Sequence, residues 1–194
     1  VEAPRPVPRP IPSGEVSFAN QQDGKHWAIG DTYKACFEPA GVTFVPFFRS
    51  NAPRSWPLAL RVTDVTCGTG VPLAAATTGR VGHKITIDRG VVVEQYEVDA
   101  HGIEQSFVFA EAPRGGDLVV RLAIETDLVP TRDAQGVRFA CELGYVGYSS
   151  AIAFDATDQP LAVETVLADG HLLLRVPAES VARARGALTI DPRI

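Results

Sequence analysis

The sequence predicts an all-β protein: a multi-stranded antiparallel β-sandwich, built as one unit or as two sub-sandwiches, with one short C-terminal helix. Three observations support this. Apolar residues alternate with polar ones along many short runs, and turns built on Gly and Asp separate these runs between Ile85 and Val176. The chain also has 194 residues, 45% of them hydrophobic, which suffices for a large buried core.

The N-terminal residues differ in composition from the rest. Residues 1–13 form a leader in which proline recurs at nearly every second position, and we expect an extended polyproline II spacer there. The β-sandwich module is predicted over residues 14–194. Because the sequence begins at Val1 rather than at Met, we expect an export signal to have been removed.

Strands in the first part of the module are predicted from apolar runs between turn residues. They cover residues 15–18, 26–29, 32–37, 42–48 and 58–66, with a turn at 20–24 and a loop at 49–57. Pro46 lies inside the fourth run and has no backbone N–H to donate. That strand is therefore expected to be an edge or to carry a bulge at this point.

The second part contains the clearest alternation. Leu118, Val120, Leu122 and Ile124 share one face of a strand, and Asp169-Gly170 is typical of a tight hairpin turn. Further strands are predicted at 81–88, 91–99, 103–109, 136–141, 144–154, 160–168, 171–176 and 187–190. Residues 177–185 begin with proline, contain good helix formers and precede Gly186, which predicts the short helix. If there are two sub-sandwiches, their boundary is expected near residues 112–116.

The order of motifs in the second part resembles a known type of module. The motifs occupy 89–96, 102–107, 116–120, 136–139, 144–148, 154–156 and Ile190-Asp191-Pro192. In this order they resemble the β-rich N-terminal module of large secreted bacterial proteins that continue into β-propeller-type (SBBP or FG-GAP-like) or immunoglobulin-like repeats. The resemblance covers residues 85–194 well and 16–61 loosely. It implies export and a position ahead of the repeats, and it carries no catalytic residues.

Charge argues against nucleic-acid binding, and hydropathy argues against a transmembrane helix. The net charge is −5, without a basic stripe interleaved with aromatics, so nucleic-acid binding is disfavoured. No apolar run approaches the ~20 residues of a transmembrane helix. The expected partners are other domains of the parent chain or neighbouring copies, reached through edge strands, and a glycan remains an option.

The three cysteines allow two hypotheses about a disulfide. If the protein is exported, Cys36 and Cys67 either pair as a disulfide or remain thiols, and Cys141 is expected to be a small apolar residue of the core.

Catalysis has one candidate pair of acids. Glu94 and Glu104 lie on predicted neighbouring strands, where two carboxylates can act together as acid and base. Glu94, however, shares a face with Val92 and Tyr96. The simpler hypothesis is therefore a buried polar residue bonded to Gln105 or to an arginine.

Ligand sites have equally few candidates. Asp155 and Asp158 lie in one tight turn and are a weak calcium site, although aspartates in turns usually bond to their own backbone. Trp27 and Trp56 are the residues proposed for sugar binding, with Tyr145 and Tyr148 as further aromatics. Aromatic residues of β-sandwiches more often belong to the core.

These observations predict a non-enzymatic, extracellular or cell-surface module, without a cofactor, that acts as a structural, adhesive or assembly domain of a larger secreted bacterial protein. The alternative is a carbohydrate-binding module attached to an extracellular hydrolase.

Overall fold

The computed structural model describes residues 15–20 and 25–194. The proline-rich leader and residues 21–24 of the predicted turn lie outside these ranges. Strands make up 59% of the chain and helix 3%, and all strand pairs are antiparallel. The predicted all-β sandwich with one short helix is confirmed.

The largest sheet within the described ranges has nine strands. Eight run in the order β1-β2-β3-β4-β5-β11-β18-β17, and β6 pairs with β5 beside them. Their bounds are β1 Ser17–Asn20, β2 His26–Ile29, β3 Tyr33–Glu38, β4 Gly41–Pro46, β5 Leu58–Cys67, β6 Thr69–Gly70, β11 Leu118–Thr126, β17 Glu164–Ala168 and β18 His171–Val176.

The second sheet has seven strands, in the order β16-β15-β19-β10-β9-β8-β7. Their bounds are β7 Thr77–Val81, β8 Lys84–Asp88, β9 Val93–Asp99, β10 Gly102–Phe109, β15 Ile152–Asp155, β16 Pro160–Leu161 and β19 Leu188–Asp191.

A third sheet and the helix complete the described part of the chain. The three-stranded sheet, in the order β12-β13-β14, consists of β12 Val129–Asp133, β13 Gly136–Cys141 and β14 Gly144–Ser149. The helix α1 spans Ala178–Arg183. It is too short to be stable alone, and two carboxylates hold its ends. Asp117 accepts a hydrogen bond from the N–H of Ala178, and Asp155 accepts one from the N–H of Arg185.

The core lies between the two large sheets. The ring of Phe37 in β3 meets that of Tyr96 in β9 edge-on, with 5.0 Å between centroids. The hydroxyl of Tyr33 donates to the carbonyls of Asp99 and Gly102 in the turn that joins β9 to β10. Phe139 and Tyr148 of the three-stranded sheet are buried in the same core. All three sheets therefore share one apolar interior.

Two local predictions are confirmed by backbone geometry. Asp169 and Gly170 both have positive φ, 48° and 72°, as the tight turn between β17 and β18 requires. The pairing of β4 with β5 ends at Phe44, while β4 continues along β3 as far as Pro46. Pro46 therefore lies at a local edge, where its missing N–H costs no ladder bond.

Other predicted boundaries are wrong. Residues 144–154 form two strands in different sheets, and 160–168 likewise divides into β16 and β17. The predicted strand at 81–88 begins at Lys84, after a hairpin turn in which Gly82 has a φ of 60°, and β7 and β12 were not predicted. Residues 112–116 do not separate two sandwiches, because β11 returns to pair with β5 and β19 pairs with β10.

Candidate functional site

The most conspicuous polar feature of the interior is a chain of hydrogen-bonded side chains. Nε of Arg89 donates to Glu94 Oε1 at 2.6 Å, and the hydroxyl of Tyr96 donates to Glu94 Oε2 at 2.6 Å. Nε2 of Gln105 donates to the Tyr96 hydroxyl at 3.1 Å, and the Tyr148 hydroxyl donates to Gln105 Oε1 at 2.9 Å. We call these five residues the buried polar chain.

The buried polar chain connects all three sheets. Glu94, Tyr96 and Gln105 project inward from β9 and β10 of the seven-stranded sheet, and Tyr148 comes from β14. At the other end, Nη2 of Arg89 reaches the carbonyl of Ala40, in the turn between β3 and β4 of the nine-stranded sheet, at 3.4 Å. Buried polar groups need such partners, because an unpaired one costs about 1–3 kcal/mol.

Burial raises the pKa values of three groups in the buried polar chain. Removal from water raises the pKa of Glu94, and the neighbouring Arg89 and the hydrogen bonds from Tyr96 and Arg89 oppose this rise only in part. Burial, together with the charge of Glu94, also raises the pKa of the Tyr96 and Tyr148 hydroxyls well above the ordinary value. Glu94 has no exposed surface, so solvent and substrate have no direct access to its carboxyl group.

The structure does not bring Glu94 and Glu104 together. Glu94 lies opposite Phe107 and points into the core, whereas Glu104 lies opposite Glu97 on the other face of the seven-stranded sheet. There Glu104 influences Asp191, whose pKa is raised by burial and then by this neighbouring charge. The acid–base pair considered from the sequence is therefore not formed. The simpler hypothesis is the correct one, with Arg89 and Tyr96 as the partners of Glu94.

Both carboxylate oxygens of Asp155 accept hydrogen bonds, from its own turn and from the segment after α1. Its Oδ1 accepts hydrogen bonds from the N–H groups of Thr157 and Gln159 and from the Thr157 hydroxyl, and its Oδ2 accepts one from Arg185. These bonds, led by that of the Thr157 hydroxyl, lower the pKa of Asp155 to about 2. Asp158 is exposed, with a φ of 59°, and its N–H donates to the Asp155 carbonyl. The turn is thus built on backbone bonds to Asp155, and no group of three or more potential metal-ligating side chains occurs in the described ranges.

The cysteines are not joined. All three lie in the described ranges, and none of them is part of a disulfide. Cys36 lies opposite Thr43, which lies opposite Ala59 in β5. Cys67 is eight positions further along β5, about 26 Å away at the usual rise of a strand. The alternative in which Cys36 pairs with Cys67 is therefore wrong for this fold, since a disulfide needs Cα atoms within about 7 Å.

The two tryptophans are half-buried. The guanidinium of Arg54 lies 4.0 Å from the ring centre of Trp56, and the ammonium of Lys34 lies 5.8 Å from that of Trp27. Both indole nitrogens are buried, without a hydrogen-bond partner among the described residues. Neither indole N–H is therefore available to a ligand, and a cation lies beside each ring.

An open surface with exposed apolar residues lies beside Trp56. Two depressions, of about 410 and 290 Å³, meet at Pro46, Phe47 and Ser55. Phe47 is 61% exposed and Ile29 is 38% exposed. We call this continuous surface the Phe47 groove. No sequence pattern considered above predicted this groove, although an apolar run that ends in two phenylalanines just before a loop is a detectable signal.

Comparisons with known proteins add no relative. Known protein families, curated proteins and solved structures all yield no match to this chain. The resemblance to the secreted bacterial module therefore stays a prediction. In the described ranges, no helix has the length and apolar character that crossing a membrane requires.

Proposed function

We propose that this chain is a non-enzymatic structural and assembly module of a larger secreted bacterial protein. The observation that carries the proposal is the buried polar chain. Its ionisable groups bond to one another across three sheets, so they hold the fold together and are not presented to a substrate. The resemblance of the motif order to exported modules supports the extracellular location.

Two further carboxylates, Asp155 and Asp117, also bind neighbouring elements of the fold. Asp155 binds its own turn and the segment after α1. Asp117, which lies at the start of β11, receives bonds from Ala178 and Arg175. Carboxylates used in this way stabilise connections between elements, which is what a load-transmitting or spacing module requires.

Edge strands are the proposed route to neighbouring domains or copies. β7 and β12 lie at sheet edges, and every residue of β12 is exposed. Pro130 interrupts the donors of β12, so β7 is the better candidate for pairing with another chain.

Hydrogen exchange tests the structural part of this proposal. Amides of β9, β10 and β14 should exchange with a single opening free energy, because the buried polar chain joins their sheets. Tyr148→Phe should lower the protection of all three strands. Separate opening of the three-stranded sheet would contradict the role that we assign to the buried polar chain.

Two further measurements test location and catalysis. Antibodies against the chain should label intact cells of its source bacterium or detect the chain in the culture medium. Labelling that requires lysis would contradict export.

Panels of glycoside, ester and peptide substrates should show no turnover above a Glu94→Gln control. Turnover that this variant abolishes would establish an enzyme.

Carbohydrate binding is the weaker alternative, because Arg54 covers Trp56 and both indole nitrogens are buried. A glycan array should show no binder. A glycan bound by the native chain and lost in Trp56→Ala would replace our proposal.

A further inference from the structure

The two halves of the Phe47 groove differ in chemistry. The half beside Trp56 is lined by two arginines, Arg49 and Arg54, and by serine side chains. The other half, of about 410 Å³, is lined mainly by apolar residues of β2 and β4 and by the exposed ring of Phe47. We call this second half the β2–β4 patch. Continuous exposed apolar surface of this kind often marks a contact site.

Strand pairing places the β2–β4 patch on the outer face of the nine-stranded sheet. Ile29 lies opposite Lys34, and Lys34 lies opposite Val45, so these three residues form one row across β2, β3 and β4. The N–H of Phe47 donates to the carbonyl of Thr32 at 2.7 Å, which continues the pairing of β4 with β3 beyond the end of β4. Phe47 follows Val45 by two positions and therefore projects from the same face.

The sheet does not cover this row from the side of β5. The pairing of β4 with β5 ends at Phe44, before Val45 and Phe47 are reached. The result is an exposed aromatic ring that projects beside an apolar depression of the same surface. A two-fold axis through such a surface brings the ring of each copy to the depression of the other, so the surface is complementary to itself.

Opposite charges flank the β2–β4 patch. Asp31 lies in the turn that joins β2 to β3 and lines the depression. The ammonium of Lys34 extends away from this turn, since it lies 5.8 Å from the ring centre of Trp27, which precedes Ile29 by two positions. The axis that exchanges the Phe47 rings brings Asp31 of each copy towards Lys34 of the other, so the charges are complementary as well.

The size of the patch sets the strength of such a contact. Interfaces that bury less than about 1,200 Å² belong to weak and transient complexes. A handful of side chains on each copy falls in that class. We therefore expect a dissociation constant on the order of 100 μM rather than a permanent dimer.

We propose that the β2–β4 patch binds the same patch of a second copy of this chain across a two-fold axis. Phe47 of each copy enters the depression lined by Ile29 and Pro46 of the other, and Asp31 of each copy pairs with Lys34 of the other. The contact rests on the assembly role proposed above, and it adds a sheet face to the edge strands as a route between copies.

Sedimentation equilibrium of the full chain, from about 10 μM to about 1 mM, tests this contact. The average mass should rise from that of a monomer towards that of a dimer. Phe47→Ser should stay monomeric over the same range. Val129→Ser should dimerise like the native chain, because Val129 is similarly exposed, at 63%, but lies on β12. Both side chains are exposed, so both variants should fold.

An exchange of charges then tests the two-fold arrangement. Lys34→Glu and Asp31→Lys should each weaken dimerisation by at least about tenfold, because each places like charges opposite one another. An equimolar mixture of the two variants should dimerise again, since both contacts then join opposite charges. A chain that carries both substitutions should dimerise alone for the same reason.

Three results would overturn the proposal. A native chain that stays monomeric would show that the patch does not bind a second copy. Dimerisation that Phe47→Ser retains would place the contact elsewhere, for example at the β7 edge. A mixture of the two charge variants that stays monomeric would contradict the two-fold pairing. Each of these results leaves the hydrogen-exchange test of the structural role unaffected.

Discussion

Glu94 and Asp155 are both almost completely buried carboxylates, yet their pKa values shift in opposite directions. Glu94 is bound by side chains, Arg89 and Tyr96, and its pKa is raised because burial outweighs these partners. Asp155 is bound by a hydroxyl and by backbone N–H groups, and its pKa is lowered to about 2. At Glu94 the removal from water outweighs the charge and hydrogen bonds of its partners, whereas at Asp155 the hydrogen bonds outweigh the removal from water.

Of the changes at these two sites, removal of the Glu94 counterion should lower the free energy of unfolding most. Arg89→Met leaves Glu94 buried without its cation, and we expect a loss of about 3–5 kcal/mol in unfolding free energy at neutral pH. Denaturant unfolding measures it. Lys84→Met is the matched control, because the Lys84–Glu97 pair lies on the exposed face of the same β8–β9 hairpin. It should cost at most about 1 kcal/mol, and equal losses in the two variants would contradict the importance of burial.

Asp155→Ala should have the next largest effect. It leaves the N–H groups of Thr157, Gln159 and Arg185 without their acceptor, so we expect a clear fall in melting temperature and faster hydrogen exchange around residues 155–159 and 185. Asp158→Ala removes an exposed side chain of the same turn and should change either measurement far less. A similar change in both variants would mean that Asp155 does not organise the turn.

The far end of the buried polar chain should contribute less. Tyr148→Phe removes one hydrogen bond to Gln105, with an expected loss of about 1 kcal/mol in unfolding free energy. Tyr145→Phe, on the exposed side of the same strand, should be nearly neutral. If Tyr148→Phe lowered the unfolding free energy as much as Arg89→Met does, the buried polar chain would act as one unit rather than as separate hydrogen bonds.

The pH dependence of stability should have opposite signs at the two sites. The folded pKa of Glu94 is raised, so the native chain should lose stability relative to Glu94→Gln as the pH rises above about 4.5. The folded pKa of Asp155 is lowered, so the advantage of the native chain over Asp155→Asn should disappear as the pH falls from 3.8 towards about 2. Unfolding curves across this range measure both, and slopes of the same sign would refute the comparison.

Much of the fold could be predicted because its information is local. Alternation placed Leu118, Val120 and Leu122 on the buried face, and Asp169-Gly170 identified a hairpin from two residues. The same alternation put Glu94 on an apolar face and so predicted its burial. The sequence named Gln105 or an arginine as its partner, but Gln105 bonds to Tyr96, and Arg89 and Tyr96 bond to Glu94, because side-chain packing that no local pattern encodes decides these contacts.

The sequence by itself therefore determined the fold class, the short helix, most strands and the inward faces of β9, β10 and β11. Each of these depends on residue spacing within a single strand or turn. The tertiary structure decided which strands share a sheet, that Cys36 and Cys67 lie far apart, and that Glu104 faces away from Glu94. It also decided that Phe47 is exposed, because strand pairing between distant segments, rather than the residues themselves, sets where β5 stops covering β4.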